Sequence, residues 1–162
     1  MKFIRNLMLL TSIVSLNAVA EIPPSKKEVY SPLLVSGGFT KNNKPAFTIV
    51  FGDSSQNAFG LTMTCEQFRK MPLKSVTFEE KANSPVSLRY TSEDTKETFM
   101  PSENHNTFIR LQFTKHDFKK KQIAFYVDGM LLNINSMNKV AVPAYFVEFT
   151  KADFDNFKHD CK

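Results

Sequence analysis

The chain has 162 residues, with 21 Lys and Arg against 16 Asp and Glu, a formal net charge of +5, sixteen phenylalanines and no tryptophan. That length suits one domain able to bury a substantial core. Lys2 and Arg5 belong to the opening segment, so +5 − 2 leaves +3 for the rest, too little to mark a nucleic-acid binder.

The first twenty residues, "MKFIRNLMLLTSIVSLNAVA", carry a short basic start, an apolar run from Leu7 to Leu16 and an Ala18-Val19-Ala20 end. This is the layout of a cleavable secretory signal over residues 1–20. The run is shorter than the ~20 apolar residues that a membrane span needs, and no later stretch approaches that length. No cysteine lies at the cleavage point to suggest a lipid anchor, and the Ala-x-Ala end has a bacterial look. The expectation is a single β-rich domain over residues 21–162, periplasmic or secreted, with no transmembrane segment in the mature chain.

From Phe47 onward apolar residues recur with period two, which predicts half-buried strands. Phe47, Ile49 and Phe51 form one set, and Phe59, Leu61, Met63 and Cys65 a second. Val76 with Phe78, then Val86, Leu88 and Tyr90, then Ile109, Leu111 and Phe113 continue the pattern, and "KANSP" supplies a turn before Val86. Short helical turns are expected around "EQFRKM" and "KHDFKKK". In "IAFYVDGMLLNI" the Asp128-Gly129 pair predicts a two-residue hairpin that sets Val127 against Met130 and Phe125 against Leu132. The next strand, "VAVPAYFVEF", contains Pro143, which cannot donate to a ladder and predicts an edge, a bulge or a change of neighbour.

The tail "TKADFDNFKHDCK" reads as a helix. Thr150 and Asp153 make a capping box, and Phe154, Phe157 and Cys161 fall on one stripe. The fold class expected is mostly β or α+β, an antiparallel sheet or sandwich with one C-terminal helix packed on it. In an oxidising compartment the two cysteines, Cys65 and Cys161, are expected to form a disulfide tying that helix to the strands.

Candidate chemistry is sparse. His105, His116 and His159 lack companions at metal-ligand spacing, so no metal and no cofactor is expected, and all three read as surface side chains. Lys115, Lys119, Lys120 and Lys121 cluster and could contact an anionic envelope polymer. Most phenylalanines read as core; Phe68 and Phe108 fit inward positions least well and are candidates for a contact surface.

"FTIVFGDSSQNAFG" resembles the first block of the GDSL esterase and lipase family, in which the serine of Gly-Asp-Ser is the nucleophile. That resemblance implies Ser54 as a catalytic residue, with Gly52 and Asp53 completing the motif. It covers about a dozen residues, and the family's oxyanion donors and its C-terminal Asp-x-x-His pair have no counterpart, since Asn156 precedes His159 by three. A hairpin turn of Gly, Asp and Ser is the alternative. "AFYVDGMLLNIN" with "VPAYFVEFTKADFDNF" resembles exported proteins of the invasion-associated locus B type, which implies a small periplasmic β-rich fold and no catalytic site; that family's additional cysteines are missing here. The functional expectation is a non-enzymatic exported binding or interaction domain, of inhibitor or immunity type, with an envelope protein or anionic polymer as partner. A small GDSL-like hydrolase using Ser54, or an envelope protein of the invasion-associated locus B type, is the alternative.

Overall fold

The structure is a computed structural model that describes residues 29–53, 57–79, 83–92 and 96–161. The expected leader and residues 21–28 lie outside the described residues. The described residues form ten strands and two helices in the order β1 (Val29–Tyr30), β2 (Leu34–Lys41), β3 (Lys44–Asp53), β4 (Asn57–Thr64), α1 (Cys65–Arg69), β5 (Ser75–Glu79), β6 (Val86–Ser92), β7 (Thr98–Met100), β8 (Phe108–Asp117), β9 (Gln122–Asn133), β10 (Lys139–Glu148) and α2 (Lys151–Asp160).

The expected mostly antiparallel sheet with a C-terminal helix is what forms. One half runs β2-β3-β4-β6, the other β5-β8-β9-β10-β1, and short β7 joins them by pairing with both β6 and β9. All ladders are antiparallel except β1 on β10. Period-two patterning places the core: Phe51 sits across from Phe59 and Phe59 from Tyr90, while Leu61 lies between Ile49 and Leu88. In the other half Leu111 faces Val127 and Val76. The two inner faces meet where Tyr145 of β10 approaches Phe51 at 6.0 Å and Phe59 at 4.8 Å between ring centroids.

The Asp128-Gly129 hairpin does not form. β9 runs unbroken through both residues, with Arg110 of β8 opposite Asp128 on one edge and Val142 of β10 opposite Gly129 on the other. Glycine is needed there for close approach, because a Cβ would overlap the carbonyl oxygen of Phe108 and sit 3.4 Å from the Ile109 Cα. The helical turn expected at "KHDFKKK" is also absent. β8 continues to Asp117, whose Oδ1 accepts from the backbone N–H groups of Lys119 and Lys120 at 2.9 Å each, and this local turn leads into β9. "KANSP" connects two strands that are not ladder partners, since β5 pairs with β8 and β6 with β4 and β7.

The expected helix at "EQFRKM" is α1, which begins at Cys65; that residue is still buried, but opens the helix and does not end a strand. Thr64 caps it by accepting from the Gln67 N–H. The β9–β10 register slips between Val142 and Tyr145, so Pro143 marks a bulge; β10 keeps β9 throughout and gains β1 at Phe146 and Val147. The capping box of Thr150 and Asp153 is present at α2, and Phe154, Phe157 and Cys161 are buried. Cys65 and Cys161 form the expected disulfide, with Cα atoms 5.5 Å apart.

Candidate functional site

Three arrangements bring polar or aromatic side chains together in ways that no local stretch of sequence displays. The first is a cleft of about 470 Å³. Its floor is the outward face of β5 and β8, where Glu79 lies opposite Phe108 and Thr77 opposite Arg110. Its wall is the loop before β8, which contributes Ser102, Glu103, Asn106 and Thr107. That loop is clasped from within. Thr107 Oγ1 accepts from the Ser102 N–H at 2.6 Å and donates to the Ser102 carbonyl at 3.0 Å, and Ser102 Oγ pairs with His105 Nδ1 at 2.8 Å. Asn106 takes φ +50°, a conformation that Asn tolerates better than most residues. Next to the floor, Arg110 forms a bidentate pair with Asp128 at 2.9 and 2.5 Å, the strongest geometry for an ion pair.

The second arrangement is an aromatic slot of about 150 Å³ at the β10 bulge, lined by Phe59, Tyr90 and Phe99 on one side and Val140, Ala141, Val142, Pro143 and Tyr145 on the other. Cross-strand pairing stacks three of these rings in a ladder, Phe59 on Tyr90 at 4.6 Å and Tyr90 on Phe99 at 5.1 Å. Met100, Ile134 and Met137 are 38%, 44% and 54% exposed. Register brings them to the same end of the molecule: Met100 pairs with Leu132, the Ile134 N–H donates to the Thr98 carbonyl, and residues 134–138 lead directly into β10.

The third surrounds His116. Its ring lies 5.0 Å from Phe113, 5.0 Å from Phe118 and 5.6 Å from Phe68. Burial pushes this imidazole below its ordinary value, while the carbonyls of Phe68 and Met71 pull the other way, and Nε2 is buried with no hydrogen-bond partner. His116 is therefore part of an aromatic cluster, contrary to its expected surface role, because β8 extends through it and packs on α1. Phe68 is fully buried at the centre of the same cluster, within 4.9 Å of Phe47 and 4.7 Å of Phe157, which corrects its assignment to a contact surface. Phe108 is half-buried and lines the cleft.

The lysine cluster is largely matched by acids. Lys115 pairs with Glu148 at 2.5 Å, Lys121 with Asp155 at 2.6 Å and Lys120 with Asp117 at 3.9 Å. Glu66 of α1, held between Lys44 and Lys70, has its carboxyl drawn down to about 2 by those hydrogen bonds. Ser54, the candidate nucleophile, falls between the ends of β3 and β4 and outside the described residues. His105 stands in the loop wall of the cleft region and His116 on β8, while His159 belongs to α2. Among the described residues, no three His, Cys, Asp or Glu side chains gather to hold a metal ion, and no helix is long and apolar enough to cross a membrane.

Sequence reasoning marked two residues that border these places, Pro143 as a bulge and Phe108 as a misfit. It missed the cleft, the slot and the Arg110–Asp128 pair, each of which depends on strand pairing across long separations. The chain matches no protein-family model, no curated protein and no solved structure.

Proposed function

We propose that this chain is an exported, non-enzymatic interaction domain that binds a protein partner, of the kind an inhibitor or immunity protein binds, through the aromatic slot at the β10 bulge. The observation that carries this reading is the slot itself, a half-open apolar pocket floored by stacked rings. Interfaces concentrate their energy where one apolar or aromatic side chain fills such a pocket. The exposed Met100, Ile134 and Met137 at the same end supply adaptable apolar surface around it. The Cys65–Cys161 bridge supports a periplasmic or secreted location, since disulfides persist in oxidising compartments.

The test uses the chain from Glu21 as bait against envelope proteins, alongside two variants. Ala141 is exposed and lines the slot, so Ala141→Arg fills the mouth without entering the core. Arg89 is exposed on the outward face of β6, away from the slot, so Arg89→Glu is the control. A stoichiometric partner captured by the wild type and by Arg89→Glu, and lost with Ala141→Arg, supports the proposal. Undiminished capture by Ala141→Arg rejects the slot as the binding site.

A further inference from the structure

The aromatic slot opens beside an unfilled strand edge. β10 pairs with β9 on one side and on the other takes β1 at Phe146 and Val147 alone, so among the described residues no strand joins its outer edge from Lys139 to Val142. Antiparallel ladders alternate in which residues bond to the neighbour. The Asn133 N–H donates to the Asn138 carbonyl, so in the same register Val140 and Val142 bond to β9, while Lys139 and Ala141 turn their N–H and C=O groups outward. The side chains of Lys139 and Ala141 are exposed; those of Val140 and Val142 pack toward the core and form the slot wall. We infer, resting on the slot as the partner's site, that the partner binds by strand addition: an extended segment pairs with β10 at residues 139–142, sets an aromatic side chain into the slot and places an acidic one opposite Lys139.

The pleat assigns each side chain its direction. A residue added opposite Val140 points inward, into the slot, and its neighbours opposite Lys139 and Ala141 point outward. The slot holds about 150 Å³, and an apolar cavity of about 150 Å³ admits one benzene-sized ring. The stacked rings of Phe59, Tyr90 and Phe99 continue as a ladder onto which that ring fits. Charge points the same way. Lys115, Lys120 and Lys121 each have an acid beside them, whereas among the described residues no acid pairs with Lys139, and none lines the slot. An acidic residue across from Lys139 makes a favourable cross-strand pair. Other occupants use less of the site. A second copy of this chain brings Lys139, Val140 and Ala141 to the same edge, with no ring for the slot and no acid for Lys139. A small apolar molecule fills the slot and leaves the outward N–H and C=O groups to water.

The experiment is an amide-resonance titration of the oxidised, folded protein with the acetylated, amidated hexapeptide Thr-Glu-Phe-Thr-Val-Thr and its reversal Thr-Val-Thr-Phe-Glu-Thr, which present the pattern in the parallel and antiparallel senses. At least one should give saturable one-to-one shifts at Phe99 and residues 139–142, the Ala141 amide proton moving downfield as it enters a hydrogen bond. Ala in place of the peptide's Phe should weaken binding about tenfold or more, and Lys in place of its Glu about twofold to fivefold. Ala141→Pro, which removes an outward N–H and no bond to β9, should weaken it as well. Lys139→Glu should reverse the preference, so that the Lys peptide binds better than the Glu peptide, a gain that a misfolded variant cannot produce. No shifts with either peptide, binding indifferent to both Ala141→Pro and Lys139→Glu, or dimerisation of the wild type that Ala141→Pro abolishes would overturn strand addition. If the peptides fail while an envelope protein is still captured by the wild type and lost with Ala141→Arg, strand addition is wrong and the slot remains the partner's site. Peptide binding without such capture upholds the edge and counts against an envelope protein as its occupant.

Discussion

Gly129 is where the structure and the local sequence signal disagree most sharply, and two substitutions separate them. In a two-residue turn with positive φ, Gly129→Ala costs about 1 kcal/mol and Gly129→Asn a few tenths, since Asn accepts that conformation. In the strand the cost has another source: any Cβ overlaps the Phe108 carbonyl oxygen and crowds the Ile109 Cα at 3.4 Å, and both are backbone. β8 must then move off β9 where Ile109 faces Gly129. Overpacking of this kind costs about 1 to 3 kcal/mol, and one weakened ladder hydrogen bond adds about 1 kcal/mol. Gly129→Ala should therefore lose ~2 to 4 kcal/mol, and Gly129→Asn at least as much. Urea unfolding with the disulfide intact measures both as a shift in midpoint at constant slope. If Asn is tolerated within ~0.5 kcal/mol while Ala costs about 1, the turn is real and the β8–β9–β10 ladder is wrong.

Three further outcomes follow from the core. Phe68→Ala should cost ~3 to 5 kcal/mol as a fully buried ring, whereas a surface role would leave the change within ~0.5 kcal/mol by the same unfolding assay. Replacing Cys65 and Cys161 together by Ala should lower stability by up to ~4 to 5 kcal/mol, the entropy of a closed loop with a sequence separation of 96, while circular dichroism keeps the native spectrum because Phe154 and Phe157 still dock α2; native protein with two titratable thiols would contradict the bridge. His116 has its pKa depressed by folding, so the folded state binds fewer protons than the unfolded state just below the ordinary value of 6.5. Its contribution is fully present above 6.5 and is lost as pH falls toward the folded value; His116→Phe should flatten the stability profile in that window, and an unchanged slope there would reject the buried placement.

What sequence conveys well here is whatever neighbouring residues decide. Phe59, Leu61 and Met63 declare a strand by alternation, Thr150 and Asp153 declare a helix start by spacing, and two cysteines behind a signal-like opening segment point to a bridge. Asp128-Gly129 misleads because a turn and a close strand crossing ask for the same glycine. Only the position of Phe108, more than twenty residues earlier, tells the two apart. Asp128 likewise has its reason in Arg110, on the adjacent strand. Phe68 and His116 look polar-flanked in sequence, yet they meet across α1 and β8. The slot needs β4, β6, β7 and β10 together, and the cleft needs β5 to pair with β8 while skipping β6 and β7. No window along the chain contains either.

The interaction reading is tested most directly by amide hydrogen exchange on the complex with the captured partner. The account predicts new protection at residues 98–100 and 134–143, around the slot and its exposed methionines, with β2 and the outward face of β3 unchanged. Protection confined to β2 and β3, with residues 134–143 exchanging as in the free protein, would contradict it.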